Sequence, residues 1–562
     1  MNKKICLLIL TLCMPFLMGA EMSATIQVKG IKGKLLSNVQ SRLDELAENK
    51  SLITQSEEAL KLQIEKAMYP YGFFKPDIDI IHQGSRWTFI INPGPRLLIN
   101  KFSLTLTGAG ATNHFINKAL REIPLKQGDP LNSVKYEQTK QLLMNAAEHQ
   151  GYLHASFDKA EVLIDKANYT SSITLIFNTG PQYFFGQVRF DPTYISPDVL
   201  RRYIPFEYGQ PYSGDQLQEF NNYLIGSGYF RAVSVKPQTD TGDIIPIDVH
   251  LEPRARTNYS LGVGFGTDTG IRGRAGMHIV PLNPAGHKFN AVALGSFNEN
   301  ALQAQYIIPG KNPLTDQYEI TGSLSTLSYD VGYSRALLLS MSQRHNTTNF
   351  QRVLSLNNLH DRYNYSLQPK FEKFSFFPKA SFTWLNKSNQ LFSPNGYNVT
   401  VNGFVANKSV LSELSFSQAS IDAKAAFTLE AIRTRLYFHT INGITEINNI
   451  NEFPLSLALL LGGAENLKGY DYNSIGPGKI LTYGGFEIQK ETKKNWFLTG
   501  FFDTGAIYDP RLKSLKNDVG IGLMWVSPIG PIKIGVAEPV DAQFNRMPHR
   551  NPHLVISMGP DL

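Results

Sequence analysis

The chain has 562 residues, a formal net charge of +7, 42% hydrophobic residues and 11% aromatics. That length allows several domains, and the charge falls to about +5 (7 minus 2) once Lys3 and Lys4 are set aside; with no dense basic run to track a nucleic-acid backbone, no nucleic-acid partner is expected. Both cysteines, Cys6 and Cys13, lie within residues 1–24, so thiol catalysis, disulfides and thiolate metal sites are excluded from the rest.

In chain order, Lys3 and Lys4 precede an apolar run from Ile5 to Met18 that ends at Gly19 and Ala20. This pattern predicts a secretory signal peptide over residues 1–24, cleaved after Ala20 or Ala24, because the run is shorter than the roughly 20 residues a spanning helix needs. Residues 25 to about 253 then repeat at a period of about 80. One register mark is a glycine followed by aromatic or apolar residues: Gly72-Phe73-Phe74, Gly151-Tyr152-Leu153 and Gly228-Tyr229-Phe230, spaced 79 and 77 residues apart. A second recurs at Gly128-Asp129-Pro130-Leu131 and Gly209-Gln210-Pro211-Tyr212, each opening a helix that runs to the next glycine mark. Within a module the order reads strand, helix, helix, strand, strand. In the first, Ile26 and Val28 alternate, Leu36, Val39, Leu43 and Leu46 follow helical spacing, and Ser56 caps a helix carrying Leu60 and Ile64. Two strands, Pro76 to Ile81 and Trp87 to Ile91, close the module.

Modules of this size and order resemble POTRA domains, the periplasmic modules that precede certain outer-membrane barrels. The expected modules cover residues 25–96, 97–181 and 182–256. Their exposed sheet edges could add a strand from a client or partner, or the modules could serve as spacers.

From Thr257 the helical periodicity gives way to glycines, aromatics and short alternating stretches, which predicts an all-β transmembrane barrel over 257–562. Tyr318, Ile320, Gly322 and Leu324 oppose Glu319, Thr321, Ser323 and Ser325, one face for lipid and one for water. Trp496, Leu498, Phe502, Ala506 and Tyr508 likewise oppose Thr499, Asp503 and Gly505. At roughly 19 residues per strand with its connection, this region supplies about 16 strands. The fold class expected is therefore α+β modules followed by a barrel of about 16 strands.

Leu467-Lys468-Gly469-Tyr470-Asp471-Tyr472-Asn473-Ser474-Ile475-Gly476-Pro477 resembles the inward-folding loop of the superfamily of POTRA-bearing barrel assembly and secretion proteins. Phe501-Phe502-Asp503-Thr504-Gly505 and the stretch from Val519 to Ile532 resemble the two barrel-strand motifs that follow it. Three modules and the ending Gly559-Pro560-Asp561-Leu562 are most similar to the TamA family within that superfamily. The resemblance implies an outer-membrane location with the modules in the periplasm and unfolded outer-membrane proteins, autotransporters among them, as clients. It further implies outer-membrane lipid as surroundings and a TamB-like, inner-membrane-anchored partner reached through the modules. Insertion would run through a lateral seam between the first strand, near Leu261, Val263 and Phe265, and the last, near Leu554, Ile556 and Met558.

The alternation places Glu487 and Asp503 on the water side of adjacent strands, where they would attract a cation from a loop folded into the lumen. Lys468, followed by Gly469 and Tyr470, is the candidate, in place of the family's arginine; a lysine lacks the planar fork that binds two carboxylates at once. No enzyme is expected: Gly262, Gly264 and Gly266 open no helix, and no nucleophile elbow or P-loop occurs. No cofactor or metal is expected either, since His549 and His553 lie in a Pro-rich turn without an acidic partner set. The competing reading is a two-partner-type secretion pore that passes unfolded polypeptide through the lumen.

Overall fold

The structure, a computed structural model, describes residues 25–49, 54–239, 242–366, 368–389, 391–509, 515–528, 530–540, 552–559 and 562. The expected signal peptide, His549, Ile529 and Pro560-Asp561 lie outside the described residues.

The first module is β1 (Thr25–Lys29), α1 (Gly33–Glu48), α2 (Glu57–Met68), β2 (Asp77–Gln83) and β3 (Arg86–Asn92). Its sheet order is β1-β3-β2, with β1 parallel to β3. Trp87, Phe89 and Ile91 alternate into a core with Leu35, Val39, Leu43 and Leu46 of α1 and Leu60 and Ile64 of α2, while Leu36 stays half-buried at its margin. Ser56 caps α2 by accepting from Ala59 N at 3.3 Å. The second module repeats the order with β4 (Leu98–Thr107), α3 (His114–Arg121), α4 (Ser133–Glu148), β5 (Ser156–Asp165) and β6 (Thr170–Asn178), its sheet running β4-β6-β5. The third does so with β7 (Phe184–Phe190), α5 (Pro197–Arg201), α6 (Gly214–Gly226), β8 (Phe230–Pro237) and β9 (Ile244–Pro253), its sheet running β7-β9-β8.

The chain forms two compact units. One holds residues up to Gln187 with Phe206–Leu217 and Pro237–Ile247; the other holds Val188–Pro205, Gln218–Lys236 and Asp248–Leu562. Within the first unit the two repeated sequence marks meet at the module joints. Leu97 N donates to Gly72 O at 2.8 Å, and Leu97 O accepts from Leu131 N at 2.8 Å. The same three-way join recurs at Gly151, Tyr183 and Tyr212, with 2.8 and 2.9 Å. Gly72 and Gly151 hold φ near +84° and +83°, and a Cβ on either would lie 2.6 Å from a backbone oxygen, of Leu131 or Tyr183. Only glycine fits such a joint, because the backbone is left-handed and the neighbour that a side chain would meet cannot rotate away. In the second unit the third mark engages barrel residues instead: Tyr229 OH donates to Gly286 O at 2.8 Å and Lys288 Nζ to Ser227 O at 2.8 Å.

The barrel begins with β10 (Thr257–Gly266), β11 (Gly270–Ile279), β12 (Lys288–Gly295), β13 (Glu299–Pro309), β14 (Asp316–Tyr329), β15 (Gly332–Asn346), β16 (Phe350–Tyr365) and β17 (Phe371–Lys387). It continues with β18 (Gly396–Ala406), β19 (Phe416–Leu429), β20 (Thr434–Glu446), β21 (Ile480–Lys493), β22 (Trp496–Tyr508), β23 (Lys516–Ser527), β24 (Gly530–Pro539) and β25 (His553–Met558). These sixteen strands form one antiparallel sheet in chain order. The period of two divides each strand between lipid and lumen: on β22, Trp496, Leu498 and Phe502 face out while Thr499 and Asp503 are buried inside.

Candidate functional site

The two ends of the sheet, β10 and β25, approach each other without a ladder among the described residues. What joins them is a side-chain bond, Ile556 N donating to Thr267 Oγ1 at 3.2 Å in the turn after β10. β10 has 10 residues and β25 only 6, against 16 and 17 in β16 and β17. Leu261, Val263 and Phe265 stand on the lipid side of β10, with Leu261 88% and Val263 93% exposed. Leu554, Ile556 and Met558 share the face of β25 that continues Val536, Ile534 and Ile532 of β24. The six expected seam residues are therefore the outward faces of the two unladdered strands.

Between β20 and β21, residues 447–479 turn back into the lumen. Their root is held on the far wall, where Tyr363 OH donates to Glu452 O and Tyr365 OH to Phe453 O at 2.8 Å. Asp361 of β16, buried, accepts from Ser334 Oγ at 2.6 Å and from Ser456 N and Oγ at 3.2 and 2.6 Å. Phe453 and Leu455 are buried, and further along Leu461 and Leu467 pack on Leu481 and Tyr483 of β21. The loop thus crosses the lumen from the β16 wall toward β21–β23.

At its tip Lys468 Nζ lies 2.8 Å from Asp503 Oδ2 and 4.7 Å from the centre of the Phe501 ring. Tyr483 OH donates to the other Asp503 oxygen at 2.8 Å. Gly469 N donates to Asp518 Oδ2 at 2.9 Å, and Tyr470 OH approaches Asn517 O at 3.4 Å. Glu487, expected to share the loop cation, instead pairs with Lys533 Nζ of β24 at 3.1 Å and accepts from Gln489 Nε2 at 2.9 Å. Of the two expected carboxylates, Asp503 is the one in direct contact with Lys468; Glu487 pairs with a strand lysine, and Asp518, which the sequence did not single out, receives a backbone N–H of the loop. The signal for Asp518 lies in register, since it stands directly opposite Asp503 across β22 and β23. Asp518 Oδ1 is buried and has no hydrogen-bond partner among the described residues, so a single ammonium serves a place with acceptor capacity to spare. His439, not anticipated from the sequence, links Asp422 and the loop carbonyl of Glu465, each at 3.0 Å.

Such a buried pair adds little net stability, because desolvating both ions offsets their attraction. Removing Lys468 would be costly, since it would leave Asp503 and Asp518 facing each other without a cation. These contacts fix where the tip sits more than they add to net stability. His553 faces Asp471 at 3.8 Å.

Residues 297–557 match the Omp85 superfamily domain, residues 25–93 match POTRA domain TamA domain 1, and residues 116–180 and 183–254 match the surface antigen variable number repeat, a POTRA model. The chain is 22% identical over 428 residues to the outer membrane protein assembly factor BamA of Neisseria meningitidis serogroup B, covering 61% of this chain and 52% of that one. It thus spans about half the length of that relative. The crystal structure of BamA from Haemophilus ducreyi lacking POTRA domains 1–3 superposes with a TM-score of 0.70 at 16% identity, covering 82% of this chain and 99% of that one. The chain therefore carries an Omp85 superfamily domain over residues 297–557 and is an outer-membrane β-barrel preceded by periplasmic POTRA modules, of which the first is of the TamA type.

Proposed function

We propose that this protein assembles or translocates other outer-membrane proteins, and that the working edge is the β10–β25 seam. The observation that carries the reading is the meeting of two strand edges that share no ladder among the described residues, inside a barrel whose other neighbouring strands are all paired. In hydrocarbon each unsatisfied backbone group costs several kcal/mol, so an unladdered edge is a place where an incoming strand gains by pairing. A client strand would pair with β10 between Tyr259 and Phe265 and move sideways into lipid with its backbone satisfied at each step.

The clients implied by the TamA-type first module are unfolded outer-membrane polypeptides, autotransporters among them, and the modules would receive a TamB-like partner anchored in the inner membrane. The relative named an outer membrane protein assembly factor supports the same class of activity. A lumen crossed by residues 452–470 favours a lateral route over conduction of a chain through the pore. The test is a reversible cysteine crosslink between β10 and β25, with client folding into liposomes as the readout. Acceleration that is lost on oxidation and regained on reduction is expected. Acceleration that persists under a verified crosslink would overturn the seam route in favour of a secretion pore.

A further inference from the structure

We propose that the lumenal loop is also a clasp, tying the extracellular ends of β10 and β25 to each other through Asp268 on one side and the Asp471–His553 pair on the other. This rests on the seam reading above and adds what holds the seam shut. Asp268 sits in the turn between β10 and β11, and both its carboxylate oxygens accept from Ala464 N, at 3.1 and 2.9 Å. The loop backbone closes tightly on that carboxylate, since a Cβ on Gly463 would lie 3.0 Å from Asp268 Oδ2. Asn298 Nδ2 donates to Asp268 O and so joins this turn to the one before β13. Four residues beyond Lys468, Tyr472 OH donates to Glu299 of β13 at 2.9 Å, and Tyr329 OH reaches the same Glu299 oxygen. On the other side of the seam, Asp471 Oδ1 faces His553 Nδ1, the first residue of β25, at 3.8 Å.

One loop thus bonds the turn after β10 and stands beside the first residue of β25, two strands that share no ladder among the described residues. Between them the strands share the bond from Ile556 N to Thr267 Oγ1, whereas the loop is fixed at its root on β16 and at its tip on Asp503 and Asp518. Charge-assisted bonds exceed neutral ones in strength, and the contact to Asp268 is shorter and less exposed than the Asp471–His553 pair, whose side chains are 70% and 34% exposed. Asp268 is accordingly the dominant latch. Release of the tip would free residues 463–472 together, dropping both attachments and leaving the seam to a competing strand.

The test uses the full chain in lipid nanodiscs, with spin labels at V263C and M558C reporting the distance across the seam. Asp268→Ala is expected to shift the ratio of open to closed seams roughly tenfold toward long distances, the loss of one charge-assisted bond. Asp268→Asn, which keeps an acceptor for Ala464 N–H but not the charge, should fall between the parent and Asp268→Ala, and Asp471→Ala should shift the ratio less than Asp268→Ala does. Ala464→Pro removes the donor without touching the turn, and should reproduce the Asp268→Ala shift if that variant fails to fold. An unchanged distribution in folded Asp268→Ala or Ala464→Pro protein overturns the clasp. A widened seam with no change in client folding upholds the clasp and counts against the seam as the working edge.

Discussion

The β14–β17 wall and the β10–β25 seam solve the same problem in opposite ways. On the wall, strands of 14 to 17 residues satisfy their backbones by continuous pairing, and lumenal side chains add to a closure that already exists. There Glu319 of β14, 4% exposed, takes two bonds from Arg344 of β15 at 2.6 and 3.2 Å, with Gln305, Gln317 and Ser342 around it. At the seam no ladder occurs among the described residues, and closure passes to side chains and to a loop whose Ala464 lies 196 residues beyond Asp268. A laddered wall loses stability when a side chain is removed, whereas an unladdered seam changes its conformation.

The largest expected contrast is in amide exchange. Amides of β15–β17 should exchange more slowly than those of β10 and β25 by roughly a thousandfold or more, as local opening requires no wall ladder to break, and similar rates by exchange mass spectrometry would break the comparison. Next, Glu319→Ala on the wall should lower barrel stability by about 2 to 4 kcal/mol in urea unfolding, because Arg344 loses its two charge-assisted bonds, while leaving seam distances unchanged. Lys468→Ala should cost about 2 kcal/mol or more and expose the loop to protease, whereas Lys468→Arg should be near neutral or tighter because the fork can also reach Asp518. Tyr363→Phe, which removes one bond from the loop root, should cost about 1 kcal/mol and sharpen the division between root and tip. Smallest of all, Leu261→Ala on the lipid face of β10 should change unfolding by less than about 0.5 kcal/mol, since lipid rather than protein packs against it.

Much of the fold was legible because its signals are local. The glycine marks at 72, 151 and 228 reported the repeat, and alternation along β14, β21 and β22 separated lipid from lumen. The purpose of the marks was not legible: a glycine shows only that a side chain is unwelcome, and the neighbour that forbids it, Leu131 O or Tyr183 O, belongs to the next module. Asp503 could be placed on the water side by parity, as could Glu487, but parity says nothing about which cation each one meets. Lys533 reached Glu487 first because β24 carries it to the same lumenal height, and Asp518 took the loop backbone because register sets it across from Asp503.

By itself the sequence determined the module order, the strand-rich second half, the inward and outward faces and the family, since these follow from periods of 2 and 3.6 residues and from short contiguous motifs. Only the tertiary structure decided how the loop is held, that β10 and β25 meet without a ladder among the described residues, and which carboxylates the loop touches. Ala464 and Asp268 are 196 residues apart, and Ile556 and Thr267 are 289 apart. No local pattern encodes contacts of that separation; they arise when a sixteen-strand sheet curls round on itself and sets the register in which distant side chains meet.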